Sequence, residues 1–220
     1  MREGFTLAEV LITLGVIGVV AAMTIPNLNQ NNFEKKVVSQ LRETQSILAQ
    51  AIRMAEEEYG DVTGWGIETS NKASAILIAN NLKPFLKIAT DCGTSDTKEA
   101  CLPKTNYKSL NNTGSTINYN TSTNYYKIKL LNGSSIWWRG GSTAEMAMDE
   151  YIDFWIDING TARPNILGKD LFVFIYEKNS IKAEGAPNTE SENTCTNLQS
   201  IGWGCAYVVL NNNNMNYLHK

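Results

Sequence analysis

Histidine is almost absent from this chain: its 220 residues include one, His219, next to the end. Four cysteines are present, but none form a Cys-x-x-Cys pair, so neither a zinc site nor a redox-active dithiol is expected. We find no nucleophile elbow and no phosphate-binding loop. The sequence therefore contains no catalytic constellation, and we do not expect an enzyme.

An excess of positive charge is also lacking. The chain has 19 Lys and Arg against 22 Asp and Glu, which gives a net charge of −3. No cluster of basic residues stands out, so nucleic-acid binding is not indicated.

A long charge-free run opens the chain instead. It extends over the sixteen residues from Val10 to Ile25, or about twenty-one counted from Phe5 if Glu9 is included. A helix of this length roughly spans the hydrocarbon core of a bilayer. A carboxylate near bilayer depth is costly and usually functional, so Glu9 is the most informative residue of the segment.

Two ordinary interpretations of this segment stay open. It resembles a secretory signal peptide cut near Ala21-Ala22, or a plain N-terminal anchor. Neither interpretation requires the carboxylate of Glu9 at the edge of the apolar run.

The residues Gly4-Phe5-Thr6-Leu7-Ala8-Glu9, with the apolar run and Pro26 after them, resemble the N-terminal signature of type IV pilins and type II secretion pseudopilins. The resemblance implies that a membrane peptidase cuts after Gly4 and that the new N-terminus, Phe5, is methylated. It also implies that Glu9 is needed for filament assembly and that Pro26 is a second assembly residue.

The same resemblance implies the organisation of the chain. A leader of residues 1–4 precedes the membrane-spanning half of a long helix at 5–25. The amphipathic half of that helix follows at 26–59, and residues 60–220 form a globular domain. The protein would cross the inner membrane once, with this domain outside the cytoplasm, and would assemble into a periplasmic or cell-surface filament.

The implied function is structural: a subunit of a type IV pilus-like filament, in particular a pseudopilin of a type II secretion-like system, with a pilus or a DNA-uptake machine as alternatives. The implied partners are sister subunits, a prepilin peptidase that also methylates, a membrane assembly platform and its cytoplasmic ATPase. The alternative from another class is a membrane-tethered or secreted extracytoplasmic binding domain with an ordinary anchor or signal peptide.

Glu9 has a possible counter-charge in the amine that cleavage would create on Phe5. Within one helix these residues lie four apart, on one face. Between staggered helices, Glu9 of one subunit would meet the amine of another. Because buried ion pairs fix register better than they stabilise, we hypothesise that Glu9 sets the register of a helical filament.

The position of the charges and cysteines agrees with an external domain. Arg2 favours a cytoplasmic leader. Four cysteines fit an oxidising compartment and allow three pairings, of which we favour the two that join neighbours in sequence. These pairs are Cys92–Cys101 and Cys195–Cys205.

The remaining pattern predicts an α+β fold, with the long N-terminal helix packed on a C-terminal antiparallel sheet, as in pilins. An apolar stripe from Phe33 to Tyr59 predicts helix, and Pro26 with its polar neighbours predicts a kinked or meltable segment at 23–32. A second helix is predicted at 70–88, with Ile76, Leu77, Leu82 and Phe85 as its buried face.

Strands are predicted where β-branched and aromatic residues lie between turn signals. The strongest signal is a hairpin with Asn132-Gly133 at its turn. The predicted strands cover 126–131, 134–138, 151–158, 170–177, 180–184 and 206–210, with a weaker candidate at 115–120.

Asp157, Asn159 and Asp170 carry oxygen atoms around the turn Asn159-Gly160. Some pseudopilins bind calcium in a C-terminal loop, so these residues are calcium candidates by resemblance. The spacing of an EF-hand is absent, and our preferred interpretation is a hairpin turn with polar flanks and no metal or cofactor.

Overall fold

The computed structural model describes residues 6–67, 70–96, 99–113, 119–143, 148–177 and 179–220. The chain divides into two compact units, Met1–Lys36 and Val37–Lys220. Most of the weak strand candidate at 115–120 lies outside the described residues.

A single long helix, α1, covers Leu7–Tyr59, or 53 residues. It confirms the long N-terminal helix and continues without a break through Pro26 and through 23–32, where we expected a kinked or meltable segment. One proline removes one backbone hydrogen bond, which leaves the neighbouring turns of so long a helix in place. In the second unit, the apolar stripe of α1 is buried as far as Ala55, whereas Tyr59 at its end is exposed. Its buried apolar residues are Val37, Val38, Leu41, Leu48, Ala51, Ile52 and Ala55.

The second helix, α2, covers Lys72–Leu82 and ends earlier than predicted. Asn71 caps it by accepting the backbone N–H of Ser74, and a 3-10 turn follows at Lys83–Phe85, around Pro84. Of the predicted face only Leu82 is buried. Ser74, Ala75, Ile78 and Ala79 take the other buried positions, and the three small residues among them let α2 lie close to the sheet.

Six strands form one antiparallel sheet in sequence order. They are β1 (Ile88–Gly93), β2 (Tyr126–Leu130), β3 (Ser135–Thr143), β4 (Met148–Asp157), β5 (Leu171–Glu177) and β6 (Ser180–Ala183). The α+β layout is therefore present. Strands β2, β5 and β6 match the predicted strands closely, whereas β3 continues to Thr143 and β4 begins earlier than predicted, at Met148. Strand β1 was not predicted, because its last residues, Thr90 to Gly93, are mostly polar and read as loop.

The two faces of the sheet carry different layers. Trp138, Phe154 and Phe174 pair across β3, β4 and β5, and the Trp138 indole N–H donates to the Ala75 carbonyl, so this face packs on α2. Trp137, Trp155 and Val173 alternate with them and point to the other face. There they join a second core with residues of the irregular segments: Cys101, Leu102, Tyr107, Tyr119, Leu167 and Leu171. We call this second side the loop face.

Two local predictions need correction. The β2–β3 connection is a three-residue loop, since the Leu130 N–H donates to the Ser134 carbonyl at 2.8 Å, and Gly133 takes φ +90° within it. The strand predicted at 206–210 is wrong: Cys205–Asn212 is a helix, α3, that ends at Asn213 in the left-handed conformation. A short apolar run is compatible with the periodicity of a strand or of a helix. Here the contacts with the rest of the fold favour the helix.

Candidate functional site

Glu9 lies in the first turn of α1, in a reciprocal hydrogen-bonded pair with Thr6. The backbone N–H and the hydroxyl of Thr6 each donate to Glu9 Oε2 at 2.8 Å, and the Glu9 N–H donates back to Thr6 Oγ1 at 3.2 Å. This is a capping box, which partners N–H groups that a helix start otherwise leaves free. The Thr-x-x-Glu spacing could have revealed it from sequence, but our sequence reading missed it.

Beyond Glu9, the first half of α1 exposes apolar side chains on every side. From Thr6 to Pro26 all residues are exposed except the half-buried Ala21. The large exposed ones include Leu7, Leu11, Ile12, Leu14, Ile17 and Met23. Burying one such side chain gains about 1.5–3 kcal/mol, so a chain in water would hide them. The helix is long and apolar enough to cross a membrane.

Of the other residues predicted at the N-terminus, the structure describes only Pro26. Gly4 and Phe5, the predicted cleavage and methylation sites, lie outside the described residues, as does the whole leader. Pro26 is described, is exposed and lies inside α1.

Both predicted disulfides are confirmed. Cys92 joins Cys101, and Cys195 joins Cys205. Within the first loop, the Asp96 carboxylate accepts the backbone N–H groups of Ala100, Cys101 and Leu102 at 2.8–2.9 Å. Both sulfurs beside Asp96 are used in the disulfide, so this group is a structural clasp and not a metal centre.

The structure brings Asp157, Asn159 and Asp170 together at the end of β4. Asp157 is fully buried; its Oδ1 accepts the Asn159 N–H at 3.0 Å and its Oδ2 accepts the Tyr107 hydroxyl at 2.5 Å. Burial and the neighbouring Asp170 raise the pKa of Asp157 well above its usual range. The predicted turn is therefore present, and its carboxylates are hydrogen-bonded.

Asp170 is held in the same way. Its carboxylate accepts the backbone N–H groups of Asn165 at 2.7 Å and Ile166 at 2.6 Å, while burial raises its pKa to about 6. These bonds close the loop that connects β4 to β5. The sequence did not identify Tyr107 as a member of this cluster, since it lies 50 residues from Asp157 and meets it only in the folded chain. Asn165 lies only five residues before Asp170 but was not among the predicted calcium candidates.

Two oxygens beside these carboxylates lack partners among the described residues. They are Asn159 Oδ1 and Asn165 Oδ1, both buried. Buried polar atoms normally have a partner, and an all-oxygen donor set of this kind fits the chemistry of calcium. Asp157, Asn159, Asn165 and Asp170 would hold the ion. Calorimetric titration of the full-length protein with CaCl₂ tests this prediction, and an absence of heat leaves the hydrogen-bonded turn.

A second polar cluster on the loop face was missed altogether. Arg139 on β3 pairs with Asp153 on β4, and the buried Glu184 follows β6. The three residues line a cavity of about 590 Å³. No local motif signals this cluster, because its members come from three separate segments.

Most of the chain matches a known protein family. Residues 27–217 match the model of a family of unknown function, DUF6613. The matched range begins after Pro26, so the N-terminal apolar segment lies outside it. No curated protein and no solved structure matches the chain. Since the match covers most of the sequence, the chain belongs to the DUF6613 family of unknown function.

Proposed function

We propose that this protein is a structural subunit of a type IV pilus-like filament, in particular a pseudopilin of a type II secretion-like system. The observation that supports the proposal best is the position of Glu9. It is a carboxylate in the first turn of a helix whose following turns expose apolar side chains on every side. Such a surface needs lipid or sister helices around it, and a carboxylate among them needs a cation.

Maturation would supply that cation. Cleavage after Gly4 leaves a free amine on Phe5, and methylation keeps its positive charge. Phe5 directly precedes Thr6, whose backbone N–H and hydroxyl bind Glu9. The amine of the same chain, or of a subunit offset along the filament, would then pair with Glu9. One charge pair among sliding apolar helices gives them a preferred offset.

The mechanism we propose is mechanical rather than catalytic. Before assembly, the first half of α1 anchors each subunit in the inner membrane, and the second unit lies outside the cytoplasm. Addition of subunits at the base lengthens the filament and moves the outer domains away from the membrane. A prepilin peptidase that also methylates, a membrane platform and a cytoplasmic ATPase would be the partners. The disulfides agree with the external, oxidising compartment.

A second candidate has its own supporting observation. The capping box gives Glu9 a use in any helix, whether or not a filament forms. The chain would then be a membrane-tethered or secreted extracytoplasmic binding domain, with α1 acting as an ordinary anchor or signal.

Mass spectrometry of the mature N-terminus in the native host distinguishes the two candidates. A methylated Phe5 is the result expected for the filament subunit. An intact Met1 would identify a plain anchor, and a start near Met23 would identify ordinary secretion. Either of the last two results contradicts the proposed function.

A further inference from the structure

A cavity of about 590 Å³ lies on the loop face of the sheet, wholly within the second unit. Arg139, Asp153 and Trp155 of β3 and β4 line it from the sheet. Glu184, Glu190 and Trp203, from the segment after β6, line it from the other side. This volume is within the range of small-molecule sites.

The charges on the sheet side already compensate each other. Arg139 and Asp153 stand opposite each other on β3 and β4, and Arg139 Nε donates to Asp153 Oδ2 at 3.0 Å. The guanidinium also lies 5.5 Å from the ring centre of Trp155 and 5.8 Å from that of Tyr125. Arg139 is thus committed to its own neighbours, and its charge offsets that of Asp153.

The opposite side carries negative charge without such an offset. Glu184 is only 8% exposed, and its Oε2 has no hydrogen-bond partner within the described part of the chain. Among the described residues, none of the ion pairs includes Glu184 or Glu190. A buried carboxylate oxygen without a donor is costly, so a donor supplied by a ligand would be stabilising.

The backbone holds Glu184 in place from both sides. Its N–H donates to the Val173 carbonyl at 3.0 Å, and its own carbonyl accepts the Tyr207 N–H at 3.1 Å. Burial raises the pKa of Glu184, and the neighbouring Ser191 opposes this shift. The backbone of Glu184 is therefore fixed where this residue lines the cavity.

The segment that carries Glu184 and Trp203 is itself fixed. Gly185 adopts φ +94°, and a Cβ there would lie 2.1 Å from the Gly204 carbonyl oxygen, so the backbone passes too close for any side chain. The Cys195–Cys205 disulfide closes the same segment covalently. A site whose residues are already held in place loses little conformational entropy when a ligand binds.

We propose that this cavity binds a primary alkylammonium group. Its N–H donors satisfy Glu184 Oε2, its charge offsets Glu184 and Glu190, and the half-buried Trp203 indole provides aromatic surface for the charge and its methylene stem. The ammonium belongs either to a free diamine or to a lysine side chain of a partner protein. This inference does not depend on the proposed filament.

Two other ligand classes fit less well. The carboxylates of Asp153, Glu184 and Glu190 do not converge closely enough to hold a metal ion together. A neutral sugar would supply hydroxyl donors but would leave the excess negative charge unbalanced.

The test is calorimetric titration of the full-length protein in detergent micelles with n-butylammonium chloride, using 1-butanol as the uncharged probe of matched shape. We expect binding of the amine and none of the alcohol. Glu184→Gln should weaken binding of the amine about 10-fold or more, because the hydrogen bond to the ammonium loses its charged acceptor. The exposed Glu190 lies at the rim, so Glu190→Gln should weaken binding only about 2- to 5-fold, and less in high salt.

Glu192→Gln is the matched control. Glu192 lies in the same segment, is exposed and does not line the cavity, and glutamine keeps an acceptor for the Asn188 N–H. It should bind the amine like the wild type. Thermal unfolding of each variant shows that the fold is retained.

The arms of the experiment also identify the source of the amine. Tighter binding of 1,5-diaminopentane than of Nα-acetyl-lysine amide indicates a free diamine, and the reverse order indicates a lysine side chain. The proposal is overturned if butylammonium binds no better than butanol, if a neutral hexose binds more tightly, or if Glu184→Gln binds as the wild type does.

Discussion

Thr6 and Glu9 hold each other at the start of α1, through two bonds of 2.8 Å from Thr6 to the carboxylate and one of 3.2 Å back from the Glu9 amide. This pair gives Glu9 two separable properties. One is its shape as a helix cap, which glutamine reproduces. The other is its negative charge, which glutamine lacks. The proposed filament needs the second property, whereas an ordinary anchor needs only the first.

Substitutions of Glu9 therefore separate the two functions. Glu9→Ala and Glu9→Val should still insert into the membrane and be cut, but should not enter filaments. We expect Glu9→Gln to fail in the same way, although its amide oxygen can still accept from Thr6. The measurement is the yield of sheared filaments from the native host, with the membrane fraction and the mature N-terminus analysed in parallel.

Thr6→Ala is the complementary control, because it removes the cap hydroxyl and keeps the charge. Loss of an N-cap costs about 1 kcal/mol of helix stability, which is small for a helix of this length. Filament yield should stay close to that of the wild type. Normal yield from Glu9→Gln together with loss of filaments in Thr6→Ala would show that capping alone matters, and would end the charge hypothesis.

Local chemistry made much of this fold predictable. The hairpin that contains Asn132-Gly133, strand β4 and the apolar stripe of α1 each depend on residues close in sequence. The structure contains all three elements, although the hairpin loop has three residues and not the tight turn that we predicted. The pairing of neighbouring cysteines is confirmed for the same reason. The six strands lie in the sheet in their sequence order, and short connections join β2 to β3 and β5 to β6.

The predictions that failed concern segments whose structure is determined by contacts between residues far apart in sequence. The run Ala206–Leu210 has the composition of a strand, but it lies in α3, where Tyr207 donates its N–H to the Glu184 carbonyl and Leu210 accepts a side-chain donor from Arg42. The cavity residues could not be predicted for the same reason, because they meet only through long-range contacts. Arg139, Asp153 and Glu184 have no common motif, and only the register of the sheet and the fold of the tail bring them together.

A pair of glycine substitutions tests the wall behind the cavity. Gly185 and Gly133 have nearly the same φ, +94° and +90°, but of the two only Gly185 faces an obstacle, the Gly204 carbonyl oxygen. Gly133→Ala should cost about 1 kcal/mol of unfolding free energy from conformation alone. Gly185→Ala should cost about 3 kcal/mol or more, because overpacking adds to the strained conformation.

Urea unfolding of the full-length protein in detergent, followed by tryptophan fluorescence, measures both free energies. Because the conformational term is shared, the difference between the variants isolates the close approach of Gly185 to Gly204. Equal losses would mean that the two backbones separate easily, and the fixed wall would have to be abandoned.

Lys127 provides a test that depends on pH. Its side chain is fully buried on the loop face, and Nζ donates to the carbonyls of Thr94, Ser122 and Tyr125 at 2.7–3.0 Å. Burial lowers the pKa of Lys127 from 10.5 to about 8, and the charge of Asp96 offsets part of this effect. Between these two values the unfolded chain keeps a proton that the folded chain has lost.

Raising the pH through this window therefore favours the folded state. The free energy of unfolding should rise between about pH 8 and 10, by at most about 3 kcal/mol, since one pKa unit corresponds to ~1.4 kcal/mol. Below the folded pKa both states are protonated and Lys127 adds no slope. Above pH 10 the trend should reverse, because burial raises the pKa values of Tyr107 and Tyr119 above their usual 10.0 and only the unfolded chain loses those protons.

Lys127→Met distinguishes this lysine from other titrating groups. It leaves three carbonyl oxygens without their donor, so it should lower the free energy of unfolding by about 3 kcal/mol at pH 7.5. More informatively, it should remove the rise between pH 8 and 10, because methionine binds no proton. Unfolding curves at pH 7.5, 8.5 and 9.5 for both proteins give the two slopes. If the variant shows the same rise as the wild type, the proton belongs to another group and the buried lysine keeps its charge throughout.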